Sequence, residues 1–427
     1  MDLTIRRIFN LIKRKAPFVS FLMLFLFPIL KFDITSKLII ICVVITLLCN
    51  FKLIKEKYSL FGIKPMLNLS LWFFIPLLTL VNSDFIVEDL KVIKDFLPFI
   101  IIPFILFYLR NKPFSKKEKY LIYKVFVTVN IIYVLYAYFY LHNRFYPSYL
   151  LENKTFIFLD YIKYIYSYHH LLYDNRIEIG FDLFYHKLYN SSFLVVSILL
   201  IFELIKEYKS KLLRVLLIST ALIMYVVILL MMSVPVIAAL HFILLFYFCN
   251  IFLAIKKALL LTLTIISSLI IGYCQLNTQT INKNIEEGIS SRLLIYKCAK
   301  TMMIEKPFFG FGFTEQQEGL NVCYDKIEME TENYYKKEKL NTHNFYLFLI
   351  LSGGLILCFV FLMMLYISFN LSIKSEAVYY FCFLTLITLL LFVENYLERM
   401  YGVFLFTLFN TLWYRELWDI DKKDIIL

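Results

Sequence analysis

The most constraining feature is a succession of apolar runs, each close to the ~20 residues that a helix needs to cross a bilayer. About twelve such runs are readable: 17–33, 37–51, 66–83, 94–110, 120–142, 188–205, 212–231, 233–254, 258–275, 343–369, 377–393 and 400–415. The second is the shortest. Hydrophobic residues make up 61% of the chain and mean hydropathy is +0.73. No soluble domain hides that much apolar surface, so the solvent for most of the chain is lipid. Ten glycines and ten prolines are few for 427 residues, which favours long uninterrupted helices. A β-barrel would need ten-residue segments of alternating polarity, and these runs are continuous. The expected fold class is therefore all-α: a polytopic membrane helical bundle of about twelve spans.

The formal charge of +12 does not point to nucleic acid, because of where the cations lie. They collect in short connections: Arg6, Arg7, Lys13, Arg14 and Lys15; Lys52, Lys55, Lys57 and Lys64; Lys112, Lys116, Lys117 and Lys119; Lys206, Lys209, Lys211 and Arg214; Lys256 and Lys257. That is the positive-inside pattern. It places both termini in the cytoplasm and leaves three segments on the other side: 143–187, 276–342 and 394–399. The basic stretch ahead of Pro17 superficially resembles a signal peptide, but no small-residue cleavage site follows, so it reads as a retained first helix. Along the chain this gives an N-terminal bundle of about nine spans over 1–275, a long outer loop over 276–342 and a three-span C-terminal bundle with a cytoplasmic tail over 343–427.

The long loop is where chemistry is expected. Loops of that length on a compact scaffold are either functional or disordered, and its helical period with Gly and Pro punctuation argues against disorder. An amphipathic stretch runs over 290–305, in which Arg292, Tyr296, Ala299 and Met303 fall on one helical face. Pro307 ends it, and Gly310 and Gly312 permit a tight turn with positive φ. Asn341 or Thr342 can then cap a helix opening at His343. A helix N-terminus attracts anions and keeps a nearby imidazole neutral and able to accept a proton. Arg292 is thus either a phosphate clamp or a solvated loop residue, and His343 either a base or an interfacial cap.

The run SRLLIYKCAKTMMIEKPFFGFGF, followed by THNFYLFLILSGGLILCFVFLMML, resembles the signature region of the O-antigen ligase and O-antigen polymerase superfamily. The pattern is Arg292, Tyr296, Pro307, Gly310, Gly312, His343, Asn344 and then Gly353 or Gly354. The late run VENYLERMYGVFLFTLFNTLW is similar to the end of such proteins. A looser correspondence places Arg176 ahead of a helix that opens with His186 and Asn190; Arg176 is equally suited to pairing with Asp174, Glu178 or Asp182.

The resemblance implies a GT-C-like architecture with a large, partly helical periplasmic loop in the bacterial inner membrane. It implies a glycosyltransferase that moves a glycan from a polyprenyl-pyrophosphate carrier to an acceptor hydroxyl: that of lipid A-core in a ligase, that of another lipid-linked unit in a polymerase. His343 and Arg292 would then be catalytic, and Arg176, Asn344, Tyr296, Gly310, Gly312 and His186 would bind substrate. No metal or other cofactor is implied, and the DxD-like Asp419–Asp421 lies at the cytoplasmic end. The chain departs from the family where a mid-chain Ser-Arg pair is common: Ser233 is followed by Val234 and Pro235, so any third arginine must come from elsewhere, Arg144 or Arg176 for example. A transporter of lipid-linked glycans, which needs charges at mid-membrane and broken helices, is the reading from a different class.

Most of the eight cysteines lie in apolar runs as small hydrophobes. Cys298 and Cys323 share the long loop, where a disulfide is one option. His169 and His170 are adjacent and would point apart on a helix, which suits an interface more than joint ligation. Glu394 and Arg399 form either a charged turn that lipid excludes or a contact with the long loop.

Overall fold

The computed structural model describes residues 15–30, 32–56, 60–109, 114–153, 187–231, 233–251, 279–328 and 340–425. They are helical, with no strand among them. In chain order the helices are α1 (Lys15–Ile29), α2 (Phe32–Glu56), α3 (Leu60–Leu77), α4 (Ile86–Ile93), α5 (Pro98–Pro103), α6 (Lys116–Asn153) and α7 (Lys187–Glu207). They continue with α8 (Lys211–Leu230), α9 (Val234–Ile251), α10 (Gln279–Glu305), α11 (Phe313–Glu328), α12 (Phe345–Lys374), α13 (Val378–Leu391) and α14 (Met400–Ile425). Four described helices are long and apolar enough to cross a membrane: Lys116–Phe139 within α6, α7, α8 and α12. Four shorter apolar ones are Lys15–Ile29, Asn68–Val81, Val234–Tyr247 and Val378–Leu391. The expected run 258–275, Arg176, His186 and the His169–His170 pair lie outside the described residues.

Several expected runs change form for local reasons. The run 94–110 is not one helix: Pro98 and Pro103 divide it into a 3-10 turn (Lys94–Phe96), α5 and a π-helical turn (Phe104–Leu109), since proline removes backbone donors. The amphipathic stretch read at 290–305 begins earlier, at Gln279. The run 343–369 is interrupted inside the membrane-length helix α12, at Gly354, whose φ of 72° and ψ of −173° are far from helical.

The chain divides into two compact units, Met1–Tyr58 with Leu109–Leu240, and Ser59–Tyr108 with His241–Leu427. In the first, α7 is buried nearly all round and Phe27 of α1 packs edge-on against its Phe193 (5.1 Å). Helix α8 turns Leu212, Val215, Leu216, Leu222, Ile223 and Val226 outward, as a helix bordered by lipid does. The second unit centres on Trp72, against which Phe99, Phe361 and Phe406 pack at 4.8–6.1 Å. Above it the helix pair α10–α11 closes on α12 around Ile295, Cys298, Ala299, Met302, Phe311, Leu320, Tyr324 and Leu351. A Cys298–Cys323 disulfide ties the pair together. Every residue of the site described next belongs to this second unit.

Candidate active site

The break at Gly354 organises the site. In an unbroken helix the N–H groups of Leu355 and Ile356 would bond the carbonyls of Leu351 and Ser352. Here both carbonyls are taken by the turn after α10: Phe311 N–H donates to Leu351 (2.8 Å) and Gly312 N–H to Ser352 (2.8 Å). In return, Leu355 N–H donates to Pro307 (2.8 Å) and Ile356 N–H to Phe308 (3.5 Å). The turn fills the gap in the helix with its own backbone, and four polar groups that lipid would not satisfy are paired. Contact this close requires glycine. A Cβ on Gly310 (φ +64°) would stand 2.5 Å from the Leu351 carbonyl, and one on Gly354 2.0 Å from the Phe308 carbonyl. A Cβ on Gly312 would likewise stand 2.6 Å from Asp89 Oδ2, so the packing of the turn itself requires both glycines.

The same turn starts α11. Buried Asp89, at the opening of α4, accepts from Phe313 N–H (3.0 Å), Thr314 N–H (2.8 Å) and the Thr314 hydroxyl (2.6 Å). It is an N-cap supplied by a distant segment. Residues 84–93 thus pack against the long loop 276–342, a contact that the sequence reading did not include.

His343 precedes α12 in a left-handed conformation (φ 43°), which is strained for a residue with a side chain. Its neighbours hold it there. Its N–H donates to Asn341 Oδ1 (3.0 Å), and Asn344 caps α12 by accepting from Leu347 N–H (3.1 Å). Fully buried Asn395 accepts from the Thr342 hydroxyl (2.7 Å) and from Asn344 N–H (3.1 Å), while its amide donates to Glu398 Oε2 (2.7 Å). The imidazole Nδ1 lies 3.2 Å from Glu394 Oε2.

Arg292 reaches the same connection from α10: its Nη2 donates to the carbonyl of Val393 (3.2 Å). Arg292 and His343 therefore engage consecutive residues of the α13–α14 connection, whose Cα atoms are about 3.8 Å apart. The two side chains converge on one connection, and Glu394 contacts the histidine. Burial pushes the Glu398 carboxyl up, against the opposing pull of Arg399 and the Asn395 hydrogen bond; Glu394 adds to the rise and His343 opposes it. The face read from the sequence is only partly realised. Ala299 is buried, Tyr296 is exposed, and Arg292 and Met303 sit on the border between the two sides. Three polar partners, Glu394, Asn395 and Glu398, complete the site. Their signal was the EN…E spacing at the end of an apolar run free of charges, which marks positions that lipid cannot accept.

Residues 184–362 match the family model described as O-antigen ligase. This supports the O-antigen ligase and polymerase superfamily for the segment that carries Arg292, the glycine turn, His343 and the broken helix. The match stops before the Glu394–Glu398 connection. No curated protein matches the chain.

Proposed function

We propose that this O-antigen ligase-like membrane protein transfers a glycan from a polyprenyl-pyrophosphate carrier to a sugar hydroxyl at the non-cytoplasmic face of a bacterial inner membrane, with both termini inside. The observation that carries the proposal is the meeting of Arg292 and His343 on Val393 and Glu394. In the reaction the acceptor oxygen attacks the anomeric carbon of the donor. The carbon–oxygen bond to the pyrophosphate breaks, and its electron pair leaves with the phosphate. With the Glu394 carboxylate at Nδ1, the imidazole keeps its proton on that nitrogen and presents the Nε2 lone pair to the acceptor hydroxyl, whose proton it takes. Arg292 lies beside it to stabilise the charge that grows on the leaving pyrophosphate. Arg176 and His186 are assigned to substrate binding by the motif resemblance alone, Asn344 and Tyr296 by resemblance and position. The mechanism uses no metal.

The acceptor assigned is lipid A-core, the ligase reaction; transfer to a second lipid-linked unit is the polymerase alternative. Purified protein reconstituted with lipid-linked donor and acceptor tests the reading. New glycosidic bonds are expected from the parent protein and none from His343→Ala or Arg292→Ala, both inserted normally. Parent vesicles that move the donor across the bilayer without forming a bond would instead establish a transporter. Lipopolysaccharide from a deletion strain separates the two transferases: bare core for a lost ligase, core plus one repeat for a lost polymerase.

A further inference from the structure

Helix α10 has a second face, of which the proposed reaction uses Tyr296 alone. At about 100° per residue, Ile295, Cys298, Ala299 and Met302 point into the core with α11 and α12. Leu293, Tyr296, Lys297, Lys300 and Ile304 share the opposite side, and all five are exposed. Leu293 is 64% accessible and Ile304 73%. The turn continues this surface with Phe308 and Phe309, at 60% and 51%. Two lysines among five large apolar or aromatic side chains, with no acidic residue on that face between Leu293 and Ile304, is the pattern of a helix lying in a membrane surface.

A second observation fixes the level. From the break to its basic end, α12 runs from Leu355 to Lys374, about 20 residues and so about 30 Å, the thickness of a bilayer's hydrocarbon core. Along it Leu355, Phe359, Leu362, Tyr366 and Ile373 form an exposed apolar stripe. The backbone of Pro307 and Phe308 is hydrogen-bonded to the first residues of that stretch. Phe308 and Phe309 therefore stand at the rim of the hydrocarbon, as an extension of α12's lipid-facing stripe.

We propose that α10 is an interfacial anchor. Its Leu293–Ile304 face and the Phe308–Phe309 turn enter the headgroup–acyl boundary of one leaflet, and Lys297 and Lys300 extend to the phosphates of anionic lipids. Arg292 lies at the edge of this face, so a lipid-borne phosphate reaches it without leaving the membrane surface. The inference is independent of glycosyl transfer, and so is its test.

The full-length protein is reconstituted in vesicles with an environment-sensitive fluorescent amino acid at Ile304, at Phe308 or at Asp325. Asp325 is exposed on α11, which packs on the opposite side of α10. Brominated phosphatidylcholine is expected to quench the label at 304 and at 308 by about twofold or more and to leave the label at 325 unchanged. Absence of quenching at 304 and 308, or equal quenching at 325, overturns the anchor. Brominated phosphatidylglycerol is expected to quench position 304 more strongly than phosphatidylcholine does, and that preference is expected to vanish in a Lys297→Gln/Lys300→Gln protein. Equal quenching by the two lipids in the parent, or a preference that survives the double substitution, overturns the role of the lysines.

Discussion

Replacing Gly354 by alanine tests whether the broken helix sets the catalytic geometry. The substitution adds one methyl group that touches neither Arg292 nor His343. Its Cβ would stand 2.0 Å from the Phe308 carbonyl, a backbone group with no side-chain freedom to move aside. The native φ of 72° with ψ of −173° belongs to a region nearly reserved for glycine, and an alanine there costs about 1–3 kcal/mol. The chain has an escape. With ordinary dihedrals at residue 354, Leu355 and Ile356 bond Leu351 and Ser352, and α12 becomes continuous. Two helical hydrogen bonds then replace four, and the turn's Phe311 and Gly312 N–H groups and Pro307 and Phe308 carbonyls lose their partners. At about 1 kcal/mol net per bond, the two lost bonds cost this escape roughly 2 kcal/mol, and it relieves the strain rather than adding to it. Expelling the turn also shifts α10, and with it Arg292. The expectation is a fall of roughly 10²-fold or more in kcat for glycan transfer, together with a lower midpoint of thermal unfolding in detergent. Gly319→Ala serves as the comparison, because its Cβ meets only the mobile end of Met302; its cost is expected to stay within about 1 kcal/mol. A Gly354→Ala protein with the parent's turnover and midpoint would refute the idea that the clasp between turn and helix holds the site.

Glu394→Gln removes the charge facing His343 Nδ1 while keeping the shape; kcat is expected to fall roughly 10²-fold with little change in the KM for donor, and an unchanged kcat would remove Glu394 from the mechanism. Glu398 has a raised carboxyl pKa, so folding favours its neutral form: the stability it adds is present below the ordinary carboxylate range and is lost as pH rises through the raised folded value. Glu398→Gln is therefore expected to flatten the fall in unfolding midpoint between acidic and neutral pH, and an identical pH slope in parent and variant would contradict this. The Cys298–Cys323 bridge closes a loop with a sequence separation of 25, for which chain entropy gives about 3 kcal/mol; Cys323→Ser is expected to lower the unfolding midpoint under oxidising conditions and to leave it unchanged under reducing ones.

How much of this was legible in the sequence depended on the range of the interaction. Apolar length alone located α7, α8, α13 and the start of α14 within a few residues, because a span needs only local composition. The Arg292, Pro307, Gly310, Gly312 and His343 series marked the right segment, since each element carries a strong local preference. The break in α12 was not legible. Gly353-Gly354 in an apolar run reads as tolerated glycine, and what opens the helix is competition from a turn more than 40 residues earlier. The Asp89 cap on α11 was invisible for the same reason: its partners are 224 and 225 residues away. Glu394 reads in the sequence as a charge that lipid excludes, but that it faces His343 is not legible there, because only the fold decides which residue lies opposite.

The glycine turn and the glycine break constrain each other through hydrogen-bond accounting. An opened helix exposes two carbonyls and two N–H groups at the edge of a medium that offers no partners, at a cost of several kcal/mol for each group left bare. A turn alone is no better off, because its own donors and acceptors are equally unmet. Only the two together leave nothing unpaired, so neither Gly310-Phe311-Gly312 nor Gly354 has a use without the other. That mutual dependence gives the series its mechanical sense. Arg292 lies 15 residues before Pro307 and His343 11 residues before Gly354, and with turn joined to break the cation and the imidazole reach the same connection. The α13–α14 connection then receives both, through the Val393 carbonyl and the Glu394 carboxylate. The chemistry is thereby placed by backbone bonds that no surface side chain can disturb, which leaves the outer face of α10 free to meet the lipid.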